Sequence, residues 1–236
     1  MRTRRLLVTA TVVAGTLVAG TALPAAARSA TRAADKKADQ KQVKALVVRA
    51  SDVPAGWTRQ PKASSSDSSS DKTLNALAAK CGTSKKAFKA FKKFETARAS
   101  SDWASADNSQ LSDQAQLYTT KKVADKAWGL VSECLLDGFI AYLDKQMQSN
   151  APAGGTIETG AAGTVDSSVT GVATKGRTQT MTISAQGQSI PVLFTFVFMH
   201  NGRAIETLMV VSINDEFSSS NANTLLATLG QRLKNV

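Results

Sequence analysis

The side chains that could do chemistry are few. The chain has one histidine, His200, and two cysteines, Cys81 and Cys134. His200 stands beside Asn201-Gly202, a pair that favours a tight turn, so its first reading is a turn residue. A Ser-His-Asp relay needs a base oriented by a buried acid, and no G-x-S-x-G element accompanies this histidine. A zinc site needs three or four His, Cys or acid ligands, more than one histidine and two oxidisable cysteines supply. No G-x-x-x-x-G-K-[ST] phosphate loop and no G-x-G-x-x-G turn occurs. Asp102, Asp107, Asp113, Asp166, Asp215 and Glu216 are scattered, and only a fold could bring two of them across a cleft as a glycosidase pair. The expectation is a protein without catalytic residues, cofactor or metal. An extracellular hydrolase remains as the least supported alternative.

The two cysteines sit in no C-x-x-C, so redox chemistry has no motif to rest on. In an oxidising compartment an isolated pair is expected to form one disulfide, Cys81 to Cys134. Closing a loop of that length stabilises a fold by roughly 4 kcal/mol on the chain-entropy account. The other reading is two buried thiols. A second feature is the segment 84–95, where Phe88, Phe91 and Phe94 recur every third residue among Lys85, Lys86, Lys89, Lys92 and Lys93. Either this is a surface helix with Phe inward and Lys outward, or it is a basic face for anionic lipid or envelope polymer. Nucleic acid is not expected as a partner, because no aromatic-basic platform is present.

The compartment follows from the first residues. Arg2, Arg4 and Arg5 precede an uncharged stretch from Leu6 to Leu23, then Pro24 and Ala25-Ala26-Ala27. A basic region, an apolar region and a small-residue triplet in that order read as a signal peptide over residues 1–27. The Arg4-Arg5 pair is also compatible with twin-arginine export, and a retained anchor is the alternative to cleavage. Loss of Arg2, Arg4 and Arg5 would lower the formal charge from +11 to +8. A secreted protein of that charge suits residence at an anionic cell envelope.

The elements that must position these residues form one domain, 42–236, after a flexible leader at 28–41. A short helix carries Val43, Leu46 and Val47 and stops at Pro54-Ala55-Gly56, with Trp57 expected as a plug on the core. A Ser/Asp-rich loop fills 63–72. Residues 99–108 and 110–118 are read as a hairpin. Thr120 is expected to cap one long helix to about Gln148, with Val123, Ala127, Val131, Cys134, Leu135, Gly138, Phe139 and Tyr142 on its buried stripe. Gly138 there implies close contact with the sheet or with a ligand. Strands are predicted at 177–184, 189–199 and 203–213, the last two joined at Asn201-Gly202. The middle strand is apolar on both faces, which makes it central. A terminal helix buries Leu225, Leu226, Leu229 and Leu233. The fold class is α+β: an antiparallel sheet of about five strands flanked by helices, with a C-terminal three-strand meander and terminal helix.

Val53-Pro54-Ala55-Gly56-Trp57 after a short helix resembles an entry segment of secreted actinobacterial proteins. The helix bearing Cys134, the earlier Cys81, the strands about Asn201-Gly202-Arg203 and the Leu-rich terminal helix are similar to the extracellular sensor domain of PknH-type mycobacterial kinases. That resemblance implies an antiparallel sheet with helices and a cleft, and binding of an extracellular ligand rather than catalysis. Those sensor domains look like two-disulfide proteins, whereas one cysteine pair exists here. The expected function is thus a secreted ligand-binding module, with Trp103, Tyr118, Trp128 and Tyr142 as candidate cleft aromatics beside the helix of Cys134. The alternative is an envelope-associated structural or adhesion protein that holds anionic polymer or lipid through the lysines of 84–95.

Overall fold

The structure is a computed structural model that describes residues 25–61, 76–82, 90–149, 151, 155–165, 169–215 and 217–236. Most of the signal segment, the Ser/Asp-rich loop, Lys85, Lys86, Phe88, Lys89, Asp166 and Glu216 lie outside the described residues.

The N-terminal helix α1, Ala25–Leu46, is longer than expected. The stretch read as a flexible leader is helical, because it is rich in Ala, Lys, Gln and Arg and lacks Gly and Pro. Its anchor is Asp39, which accepts from Arg203 at 2.6 Å. A single 3-10 turn, Ala50–Asp52, follows. Trp57 is buried edge-on against Phe217, as the plug reading required.

One antiparallel sheet of seven strands then forms. The strands are β1 (Thr58–Arg59), β2 (Glu95–Ala104), β3 (Gln110–Tyr118), β4 (Thr156–Thr164), β5 (Ala173–Ala185), β6 (Gln188–Asn201) and β7 (Ala204–Ile213). Their spatial order is β1-β2-β3-β7-β6-β5-β4. The hairpin and the meander were expected, and β3 joins them by pairing with β7, Asp113 opposite Leu208. The two strands beyond the expected five are the outer ones. β1 has two residues, and β4 is almost wholly exposed.

The segment 84–95 does not continue as a helix to Glu95. Helical residues 90–92 give way to a turn at 93–94, and Glu95 already belongs to β2. The single helix predicted from Thr120 is two: α2, Lys121–Trp128, and α3, Glu133–Ser149. Thr120 does cap the first, its hydroxyl accepting from the Val123 amide. Gly129 closes it, and Ser132 accepts from the Leu135 amide at 3.2 Å to open the second. Lys175 Nζ donates to the Val131 carbonyl, which the break leaves without a helical partner. The terminal helix α4, Ser219–Lys234, buries the four expected leucines.

The sheet is covered on both faces. Helices α1 and α4 lie on the face that carries Leu117, Val197, Met199 and Leu208. Helices α2 and α3 lie on the other, where Phe139 meets Phe196 at 4.2 Å between ring centres. β6 is interior and apolar on both sides, as its sequence required. Cys81 and Cys134 form the expected disulfide. Cys134 is exposed, however, and does not lie on the buried face of α3; that face carries Leu135, Leu136 and Ile140. Gly138 contacts the disulfide-linked segment rather than the sheet: an added Cβ would lie 3.4 Å from Leu77.

Candidate functional site

The end of α1 runs over β2 and leaves an open cleft of about 680 Å³ beside it. Apolar residues hold the helix there. Val43 and Leu46 are in the core, and Val47 and Val48 continue the burial past the last turn. Gln40 Nε2 donates to the Arg98 carbonyl at 3.0 Å. The chain then turns back, with Asp52 accepting from the Arg49 amide at 2.7 Å. Arg232 of α4 holds Asp52 through two bonds of 2.7 Å and also donates to the Val47 carbonyl at 3.2 Å. Burial alone would raise the Asp52 pKa, but the Arg232 and Arg49 bonds outweigh it and hold the carboxyl below its ordinary value.

Lys44, Arg49, Arg59 and Arg98 line this cleft, with Gln40, Ser100 and Trp103, and no Asp or Glu lines it among the described residues. Arg98 is spanned by Glu95 at 2.6 and 2.9 Å, so its charge is largely compensated. Lys44, Arg49 and Arg59 are exposed. β1 pairs with β2 at residues 103 and 104, and the Gln60 amide reaches the Asp102 carbonyl at 2.8 Å. By strand alternation the backbone of Ser100 points the same way as that of Asp102 and Arg98. It therefore faces outward between the Gln60 and Gln40 contacts. Three cations with no ion-pair partner among the described residues, an outward-facing strand backbone and the buried Trp103 make a surface suited to an acidic group.

The four aromatics of the sequence reading do not meet in one place. Trp103 lines this cleft, its Nε1 donating to Ser101 at 3.2 Å. Tyr118 and Trp128 share a cluster under α2, and Tyr142 packs with Leu77 and Leu135. Burial pushes the Tyr118 hydroxyl up to about 12. The space between α3 and the sheet, where the cleft was expected, is occupied by Leu136, Phe139 and Phe196. Lys92 and Lys93 are exposed.

His200 is not a turn residue. It is the next-to-last residue of β6, is buried, and stacks on Trp128 with ring centres 5.4 Å apart. The turn proper begins at Gly202, whose φ is +55°. Burial lowers the His200 pKa, against the pull of Asp125 at 3.5 Å.

The acids the sequence left scattered remain so, with one exception. Asp102 accepts from the Ser112 hydroxyl at 2.5 Å, Asp107 sits in the β2–β3 turn, and Asp215 is exposed in a left-handed turn. Asp113 meets Glu206, which sequence reasoning missed. Both lie on the sheet face under α1 and α4, 1% and 0% exposed. Asp113 accepts from the Val48 amide at 2.7 Å. Burial drives its pKa up to about 7, and burial plus the Asp113 charge pushes Glu206 well above the carboxylate range. The pair has no path to a substrate, so it is a core feature and not a glycosidase centre. Its signal was legible: Glu206 interrupts the apolar face of Ala204, Leu208 and Val210. Among the described residues no group of three or more His, Cys, Asp or Glu is placed to hold a metal.

No helix among the described residues is long and apolar enough to cross a membrane. No family model matches this chain, and no curated protein matches it. Among solved structures, the extracellular domain of PknH from Mycobacterium tuberculosis is similar at 12% identity and a TM-score of 0.39, over 81% of this chain and 96% of that one.

Proposed function

We propose that this chain is a secreted, non-catalytic binding module whose cleft between α1 and β2 takes an acidic ligand of the cell envelope. The observation that carries this reading is the cleft wall itself: among the described residues Lys44, Arg49 and Arg59 line it, and no acid does. Guanidinium groups grip carboxylate or phosphate in two-point fashion, and Arg49 and Arg59 supply two of them. The basic leader, apolar stretch and Ala triplet support export, and the Cys81–Cys134 bridge suits an oxidising compartment. The acid pair that might have suggested hydrolysis is sealed in the core.

The test is capture of envelope extract by the wild-type protein and by an Arg49→Glu/Arg59→Glu variant. The expected outcome is loss of binding by at least tenfold in the variant, with a small fall in melting temperature, because both side chains are exposed and Arg49 gives up one bond, to the Ala45 carbonyl at 2.7 Å. Equal retention by the two proteins would rule out the cleft as the binding site.

A further inference from the structure

A second surface stands apart from the cleft. Phe94 is the exposed large hydrophobic residue among those described, at 45% of its full accessibility. A lone exposed apolar side chain is ordinary. This one differs in how it is held and in what surrounds it. The turn that carries it is fastened at both ends. Its amide donates to the Phe91 carbonyl at 2.9 Å, and its own carbonyl accepts from the Thr119 amide at 2.9 Å. Phe91 packs inward against the cluster of Tyr118, Ala124 and Ala127. The segment thus uses one phenylalanine as its root and presents the next to solvent.

Thr119 leads directly into α2, so the Phe94 turn sits beside the start of that helix. Lys93 precedes Phe94 in sequence, and Lys121, Lys122 and Lys126 are exposed on α2. Among the described residues, Asp125 and Glu95 are the acids of this turn and helix, and both are engaged. Asp125 takes Lys121 at 2.7 Å, and Glu95 is spanned by Arg98. Over the described residues the surplus, carried by Lys93, Lys122 and Lys126, is therefore positive, and an exposed aromatic projects beside it.

We propose that this face rests on an anionic lipid surface, with Phe94 entering the headgroup region and the surrounding lysines meeting lipid phosphates. Interfacial attachment combines buried apolar area with attraction to anionic headgroups, and both parts are present here. An anionic polymer would engage the lysines as well, but it offers no apolar phase for Phe94. The exposed ring therefore favours lipid over polymer.

The test uses exported protein recovered from an expressing host, with every variant compared at the same N-terminus. Sedimentation with vesicles of equal phosphatidylglycerol and phosphatidylcholine, against phosphatidylcholine alone, reads the partition. The expected result is binding to the anionic vesicles only. Phe94→Ser should weaken it by about tenfold, the loss of one partly buried aromatic ring. A Lys93→Gln/Lys122→Gln/Lys126→Gln variant should reduce it to the level of neutral vesicles. Phe94→Trp should be quenched by brominated lipid. No binding to anionic vesicles would overturn the proposal. So would equal binding by Phe94→Ser, which would mark a charge-only surface of the kind that holds polymer. The cleft variant Arg49→Glu/Arg59→Glu should leave vesicle binding unchanged, so the two surfaces fail or stand separately.

Discussion

Asp113 and Glu206 are two acids in a place where the fold wants none. Each belongs to a strand face that is otherwise apolar, and each is closed off from water. Their folded-state pKa values are raised above the unfolded ones, so the native state holds protons that the unfolded chain has released. Their contribution to stability is complete below about pH 4 and is lost as pH rises toward 7, the value Asp113 reaches. Glu206→Gln removes one charge and still offers an amide to Asp113. It should raise unfolding free energy at pH 8 by on the order of 2–4 kcal/mol, and change it little at pH 4. Denaturant unfolding at the two pH values measures this. Identical pH slopes in both proteins would mean the pair is not the source. Half of this pair was visible in sequence, because an acid on the Ala204–Val210 face breaks an apolar stripe. The other half was not, since Asp113 meets Glu206 only through pairing of β3 with β7, strands far apart in the chain.

At the scale of elements, sequence periodicity located most helices and strands and misjudged where they stop. Apart from Cys134, the apolar stripe from Val123 to Tyr142 is buried or half-buried, but it runs through two helices. A period cannot report a break that a side chain repairs: Ser132 recaps the chain and Lys175 satisfies the stranded Val131 carbonyl. Ser132→Ala should cost about 1 kcal/mol, the usual value of a lost helix cap. Thermal unfolding of that variant checks it, and no change would show that the Glu133 end needs no cap. β4 was missed for a different reason. Its sequence, Thr156 to Thr164, has one large apolar residue, Ile157, and hence no alternation to read. The aromatic residues taken as cleft markers are dispersed among separate packing clusters. The cleft beside α1 is lined by cations and apolar residues that the end of α1, β1 and β2 bring together, and no sequence period marks that meeting.

Across the whole molecule, the terminal helix α4 is tied to the segment that follows α1. Arg232, in the last turn of α4, holds Asp52 and the Val47 carbonyl just after α1. It also lowers the cost of charge on both Asp113 and Glu206. Arg232→Ala leaves the Asp52 carboxylate without its counter-charge. The expected loss is about 2–3 kcal/mol, below that of stripping one partner from a fully buried pair because this one is partly open to water. The loss should be greater at pH 8 than at pH 5, because the core acids also lose a cation that favours their charged forms. Chemical denaturation at both values tests this, and a pH-independent loss would separate Arg232 from the acid pair. The order of strands and helices was largely legible at this scale. The long-range ties among Asp39, Asp52, Arg203 and Arg232 were not, since charged residues carry no periodic mark of their partners.

The outer strand β4 has a bearing on how copies of this protein behave in solution. An open strand edge is a template on which a second chain can add. Here the register against β5 shifts between Thr159 and Ala162, and the Gly160 carbonyl within that irregularity is taken by the Gln179 side chain. A Cβ at Gly160 would force the Thr180 hydroxyl to turn away. The shift of register breaks the regular spacing of amides and carbonyls that a neighbouring copy would pair with. A bulge of this kind, on a chain of net positive charge, works against edge-to-edge stacking of copies.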